Sequence, residues 1–259
     1  MENIILTKED QIAILTINRP NFKNALDGKT YEEFGIAIDD VKSDSSIRVL
    51  IITGAGDSFC SGLDLSYAAS MKDQSMGDFR AGMKRLQSIF NFEEIYKPVI
   101  AAVKGYALGN GCDIALASDF IIAGESAKFA MAYTNLGLIP DLGGTFRLPR
   151  LVGPAKAKEL ILTGEKIDAK TALDIGIAGK LVPDEKLMDE ANKFAQKLAK
   201  RSPIALSLAK KAINNSLGTN LYNSLEYEAY MQNICMNSND TAEAVMAFLE
   251  KREPNFTGT

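Results

Sequence analysis

The sequence contains no histidine at all. Ser-His-Asp and Cys-His nucleophilic catalysis, histidine metal sites and phosphohistidine chemistry all require that side chain. Acid-base work near neutral pH therefore falls to carboxylates, lysine, tyrosine or cysteine. Cysteine is scarce too. Cys60, Cys112 and Cys235 are odd in number, widely spaced and without a C-x-x-C pair, so neither a disulfide framework nor a zinc site is expected, and a reducing cytoplasm fits best. Long apolar runs are missing. "VLII" at 49–52 is among the longest, too short to cross a bilayer. The start, "MENIILTKEDQ", carries charge at Glu2 and again from Lys8 and lacks the apolar core of a signal peptide, so a cytoplasmic location without membrane anchoring is expected. An excess of basic charge is also absent. With 29 Lys and Arg against 33 Asp and Glu, the net charge is -4, which argues against a nucleic-acid surface. A few local lysines or arginines still suffice for a small anionic ligand. Neither G-x-x-x-x-G-K-[ST] nor G-x-G-x-x-G after a strand occurs, which removes the usual nucleotide-binding loops.

What is present is an ordinary globular composition, 46% hydrophobic and 24% charged over 259 residues, enough to bury a large core. "IILTKED" and "QIAILTINRP" read as two strands joined by a charged turn. Tyr31, Phe34, Ile38 and Val41 recur at helical spacing, predicting a helix from about Asp27 to Val41. "IRVLIITG" suits a strand buried on both faces. The pattern then recurs. Phe79, Met83, Leu86, Ile89 and Phe90 predict a helix over 78–96, "KPVIAAVKG" a buried strand, and "FIIAG" and "KFAMA" two short strands. After Pro149 the chain turns helical: "DEANKFAQKLAK" carries one apolar stripe, "SPIALSLAKKAINNSL" opens with a serine cap and an early proline, and "NDTAEAVMAFLEKREPNF" opens with a cap at Asn239 or Asp240 and stops before Pro254. The expected architecture is α/β, with repeated strand-strand-helix turns followed by helices.

Three glycine-rich loops follow buried strands: "GAGDSFCSGLDL", "GYALGNGCD" and "GLIPDLGG". Strand ends are where open α/β proteins place ligands, and glycine lets backbone N–H groups approach them. Taken singly, each loop is equally well a tight turn. Taken in order, "FCSGLDL", "KPVIAAVKGYALGNGCDIALASD", "SAKFAMAYTNLGLIPDLGGTFRLPRLVG" and "FLEKREPNF" resemble the enoyl-CoA hydratase/isomerase, or crotonase, superfamily. The similarity spans nearly the whole chain.

The resemblance implies a crotonase-like spiral core over 1–195, a helical trimerisation region over 196–259, and an acyl-coenzyme A thioester as substrate. It implies no cofactor beyond the coenzyme A of the substrate, and a homotrimer or dimer of trimers. Two backbone N–H groups, here those of Leu63 and Asn110, would hold the thioester oxygen. Fixed donors stabilise the charge that develops there without reorganising. Substrate contacts would come from Phe22, Lys23, Asp64, Leu65 and Tyr133 and, from this or a neighbouring subunit, Phe248 and Lys251. Asp64 is also read as holding its loop, and Lys251 as complementing the helix dipole.

The chain departs from the hydratase pattern in its acid-base groups. Where similar hydratases use two glutamates, it has Asp113, one methylene shorter, and Tyr133, which is not a carboxylate. Asp141 offers a replacement. Members that shift a double bond, including the ring-epoxide isomerase of phenylacetate degradation, carry an acidic residue in this loop, and "SAKFAMAYTNLGLIPDLGGTFRLPR" resembles that isomerase most. One carboxylate is enough to take a proton from C2 of a 3-enoyl thioester and return it at C4. Burial among Leu138, Ile139 and Leu142 should raise its pKa. Without the resemblance, Asp141 reads as a turn residue, Asp113 as a first-turn helix charge and Tyr133 as a pocket wall. The leading expectation is an enoyl-CoA isomerase. The alternatives are a hydratase pairing Asp113 with Asp141, and an acyl-CoA binding protein without activity. Acyl-pocket residues are expected within 66–96, for instance Tyr67, Met71, Met76 and Phe79.

Overall fold

The computed structural model describes residues 1–71 and 75–259. A turn at Asp10 and Gln11, with φ of 45° and 72°, folds Ile4–Glu9 (β1) antiparallel onto Ile12–Ile17 (β2). Helix α1 (Gly28–Ser43) begins at Asp27, whose carboxylate accepts from the Thr30 N–H. Its Tyr31, Phe34, Ile38 and Val41 are buried, as the spacing predicts. The apolar run that follows is β3 (Val49–Gly54), buried at every position between parallel neighbours.

Two short helices come next, α2 (Leu65–Ser70) and α3 (Met76–Ile89). The expected helix over 78–96 thus stops at Ile89, and a 3-10 turn at Phe92–Glu94 leads into β4 (Val99–Val103). Then follow β5 (Tyr106–Leu108), α4 (Asn110–Ala117), β6 (Phe120–Gly124), β7 (Lys128–Ala130), α5 (Gly144–Val152), α6 (Pro154–Thr163), β8 (Ile167–Asp168), α7 (Ala169–Asp174) and β9 (Lys180–Val182). The large sheet has the order β1-β2-β3-β4-β6-β9, and β5-β7-β8 form a small second sheet. Each of the turns β4–β5 and β6–β7 gives one strand to each sheet. This is the strand-strand-helix spiral in structural form.

The helical region comprises α8 (Leu187–Ala199), α9 (Pro203–Ser216), α10 (Leu221–Met236) and α11 (Asn239–Glu250). On α8, Leu187, Ala191, Ala195 and Ala199 pack against Val49, Ile51, Ile100 and Ala102 of the large sheet, so the expected boundary after residue 195 falls inside a helix that belongs to the core. The Ser202 hydroxyl caps α9 by accepting from the Ala205 N–H, and it donates to Asp240 Oδ2 at 2.6 Å. That bond ties α9 to α11. The α11 cap is Ser238 rather than Asn239 or Asp240. Asp240 is buried and instead accepts from the Thr257 and Gly258 N–H groups, fastening the final residues. Among the described residues, no helix is long and apolar enough to cross a membrane.

Candidate active site

Two loops meet at the ends of β3 and β5. Gly62 has a φ of 99°, and a Cβ there would lie 2.7 Å from the Leu108 carbonyl and 3.6 Å from the Asn110 nitrogen, so the close approach requires glycine. The Leu26 N–H donates to Gly62 O at 2.8 Å and the Asp64 N–H donates to Leu26 O at 3.0 Å. In such a bridge the Leu63 N–H points the other way, toward the cavity that Leu63 lines. Asn110 is the first residue of α4, after Gly109 at φ 51°. Its N–H has no partner within the helix and sits at the positive end of the dipole. Two amide donors from separate loops thus converge on one cavity of about 330 Å³.

The third loop brings in Asp141. Its carbonyl accepts from Gln87 Nε2 on α3 at 2.9 Å, and the next carbonyl, of Leu142, accepts from Arg147 Nη1 at 2.5 Å. Arg147 in turn forks onto Glu93, with Nε at 2.5 Å from Oε1 and Nη2 at 2.7 Å from Oε2. The loop is clamped from two sides. Asp141 lines the cavity, its Oδ1 is buried without a hydrogen-bond partner, and burial pushes its carboxyl up to about 6.

A second carboxylate, Asp64, also lines the cavity, but it is occupied. It accepts from the Ser66 and Tyr67 N–H groups to cap α2 and pairs with Arg19 at 3.0 Å. Partial burial pushes its pKa up, yet the Arg19 guanidinium and those amides outweigh it and hold the group below the usual range.

Asp113, the carboxylate that the hydratase alternative pairs with Asp141, is placed differently from it. It sits in the first turns of α4, is 0% exposed, and does not line the cavity. Tyr133, which does line it, donates its hydroxyl to Asp113 Oδ2. Burial, reinforced by the charge of Asp141, raises Asp113 to about 7 against the opposing pull of the Tyr133 hydroxyl and Arg147. Two carboxylates do not share one open face, because Asp113 is buried and its Oδ2 is held by the tyrosine hydroxyl.

The remaining expected contacts divide. Phe22, Asp64 and Leu65 lie on the cavity wall with Leu63, Asn110, Tyr133 and Asp141. Lys23, in left-handed conformation, is not on that wall; its ammonium pairs with Asp57 at 2.8 Å and its carbonyl accepts from the Ser61 N–H. Phe248 is 82% exposed and Lys251 forms the left-handed end of α11, both away from this cavity. Of the residues expected to shield Asp141, Leu138 lines the cavity with it although exposed, Leu142 is buried, and Ile139 is exposed and off the wall. Of the acyl-pocket expectations, Tyr67 and Met71 line a neighbouring cavity of about 290 Å³ together with Tyr31, Met83 and Leu86, whereas Met76 and Phe79 do not. Residues 72–74 of that stretch lie outside the described residues.

A sequence profile of the enoyl-CoA hydratase/isomerase family matches residues 7–259. The chain belongs to that family. It is 42% identical to the crotonyl-CoA hydratase of Syntrophomonas wolfei, over 98% of each chain. It is 38% identical to the 1,2-epoxyphenylacetyl-CoA isomerase of Escherichia coli K12, over 100% of this chain and 99% of the relative. The crystal structure of an enoyl-CoA hydratase from Bacillus anthracis superposes with a TM-score of 0.93 at 36% identity, covering 99% of this chain and all of that one. The spiral expected from the motifs is therefore the fold, and the protein is an enzyme of the enoyl-CoA hydratase/isomerase family.

Within this hydratase/isomerase fold, several structural residues escaped the sequence reading. Arg19 reaches Asp27 and Asp64, each at 3.0 Å, and so joins the starts of α1 and α2. Asn24, fully buried at φ 58°, donates to the carbonyls of Ala55 and Ser58. Arg147 clamps the Asp141 loop. Asp64, the Ala55 and Ser58 carbonyls and Glu93, which these side chains hold, lie 31 to 54 residues away in sequence, so no local pattern marked them.

Proposed function

We propose that this enzyme is an acyl-CoA isomerase that moves a double bond from the 3- to the 2-position of an enoyl thioester, with Asp141 as the base. One observation carries the reading. Asp141 is the cavity carboxylate with an unpartnered oxygen and a raised pKa, while Asp64 is committed to Arg19 and a helix cap. A carboxylate near 6 is ionised at neutral pH and more basic than an exposed aspartate.

Removal of a C2 proton turns the thioester into a dienolate, and the charge moves onto the thioester oxygen. The Leu63 and Asn110 N–H groups would receive it. Losing one such donor typically costs about 2.7–4 kcal/mol of barrier. Return of a proton at C4 completes the shift, with no water consumed. Phe22, Asp64 and Leu65 would flank the thioester and Lys23 the entrance, and Phe248 and Lys251 would serve the cavity of a neighbouring copy.

Hydration is the second reading, favoured by the name of the Syntrophomonas relative. Against it stands the burial of Asp113 behind Tyr133. Mass spectrometry of products from a medium-chain 3-enoyl-CoA, with and without a ring in the acyl group, and separately from the matching 2-enoyl-CoA separates the two. Conjugated product of unchanged mass from the 3-enoyl-CoA supports isomerisation; an untouched 3-enoyl-CoA beside a 2-enoyl-CoA made heavier by one water overturns it.

A further inference from the structure

Asp113 and Tyr133 form a buried pair that a site with one base does not explain. Tyr133 is 4% exposed and lines the cavity beside Asp141. The Tyr133 Cζ lies 3.9 Å from where a Cβ on Gly109 would be, which places the phenol end next to the Asn110 amide. Behind it, Asp113 Oδ2 accepts the phenol hydrogen, and Oδ1 is buried with no partner. The space around that second oxygen depends on Gly144: a Cβ there would fall 2.4 Å from Oδ1 and 2.1 Å from Met131 Cε. A carboxyl sealed from water with one free oxygen is costly to keep ionised. That cost is avoided when Asp113 carries a proton.

We propose that Tyr133 is a second proton carrier of the site, handing a proton to the acyl chain while Asp113 behind it acts as the proton store. This rests on the isomerase reading above and names the partner that Asp141 works with. With Asp113 ionised, the phenol donates to Oδ2. With Asp113 protonated on Oδ2, that hydrogen turns to the Tyr133 oxygen and the phenol hydrogen is released to face the cavity.

The proton balance closes. Asp141 takes a hydrogen from C2, and the C–H pair becomes the dienolate. The oxyanion pair then reforms the carbonyl, the C1–C2 double bond moves to C2–C3, and the C3–C4 pair takes the phenol proton as the C4–H bond forms. The Asp113 proton moves to the phenol oxygen in the same step. One proton has left Asp113 and one has arrived on Asp141; after product release, cavity water takes the proton from Asp141 and returns one to Asp113 through the Tyr133 hydroxyl. The groups that bear on Asp113 from the elements around it are Tyr133, Asp141, Arg147, the Leu142 N–H, which favours the ionised form, and the Cys112 thiol. Its pKa of about 7 leaves it partly protonated near neutral pH.

The test uses a 3-enoyl-CoA deuterated at C2, turned over in ordinary water by the full-length protein, with the label at C4 read by NMR. Two carriers predict that wild-type product gains a solvent hydrogen at C4 and loses one of the two C2 deuteriums to solvent. Tyr133→Phe and Asp113→Asn, the latter retaining an acceptor for the phenol, should be at least about tenfold slower and should carry C2 deuterium to C4, because Asp141 is left to do both transfers. Wild-type product carrying C2 deuterium to C4 as fully as Tyr133→Phe overturns the relay, even if both variants are poorly folded. Asp113→Asn with the wild-type label pattern also overturns it, by removing the store. Absence of conjugated product from the wild type overturns the isomerase reading itself, and the relay with it.

Discussion

Asp141→Asn keeps the volume of the side chain and removes its basicity. Turnover should fall about 10²–10⁴-fold, the usual contribution of a positioned base, while the dissociation constant for an unreactive acyl-CoA measured by calorimetry stays within about twofold. Near-normal turnover would exclude Asp141 as the base. Its pKa of about 6 also predicts that kcat/KM falls as the pH drops below that value, since the free enzyme must present the carboxylate. Asp113 makes a separate prediction, about stability. Its folded pKa is raised from 3.8 to about 7, so between those values the folded chain holds more protons than the unfolded one and stability falls as pH rises. Asp113→Asn lacks this slope. Its melting temperature should gain on the wild type by about 2 °C or more between about pH 5 and pH 8, and a constant gap in thermal melts would count against a raised pKa.

At the scale of elements, the Asp141 loop owes its place to a fork between Arg147 on α5 and Glu93 before β4, and to Gln87 on α3. Arg147→Lys keeps the charge but cannot make both bonds at once. Urea unfolding should show a loss of about 1–3 kcal/mol, and kcat should fall more than KM rises because the base is displaced. An unchanged kcat with the stability loss would make the fork purely structural. The elements themselves differ in how far they were legible. β3 and β4 are read from apolar β-branched runs, and α1 and α8 from single stripes. α10 escaped because Leu221, Tyr222, Leu225, Tyr227, Tyr230 and Ile234 spread around the helix, and β8 because two residues carry no alternation. The donor loops were visible through their glycines. The Tyr133–Asp113 bond was not, since it joins positions 20 residues apart through the packing of α4 against the loop after β7. The exposure of Ile139 has the same origin: an apolar neighbour in sequence need not face the carboxylate it flanks.

At the scale of the molecule, α10 and α11 leave Leu221, Tyr222, Leu225, Tyr230, Val245, Phe248 and Leu249 exposed. So many large apolar side chains on adjoining helices exceed what a monomeric surface usually carries. They fit the threefold association that the sequence reading expects. Sedimentation velocity should find three or six chains together, and Leu225→Asp should shift the population toward single chains, since a charge buried at an apolar contact lacks a partner. The consequence for catalysis follows from where α11 ends. If Phe248 and Lys251 complete a neighbouring cavity, the dissociated variant should show a KM at least about tenfold higher, each lost contact being worth roughly a kcal/mol or more. Lys251→Ala in the intact assembly should raise KM in the same direction with little change in kcat, because coenzyme A contacts lie far from the reacting carbons and act equally on bound substrate and transition state. Single chains with an unchanged KM would mean instead that one copy holds the whole substrate, and the exposed face would then serve association alone.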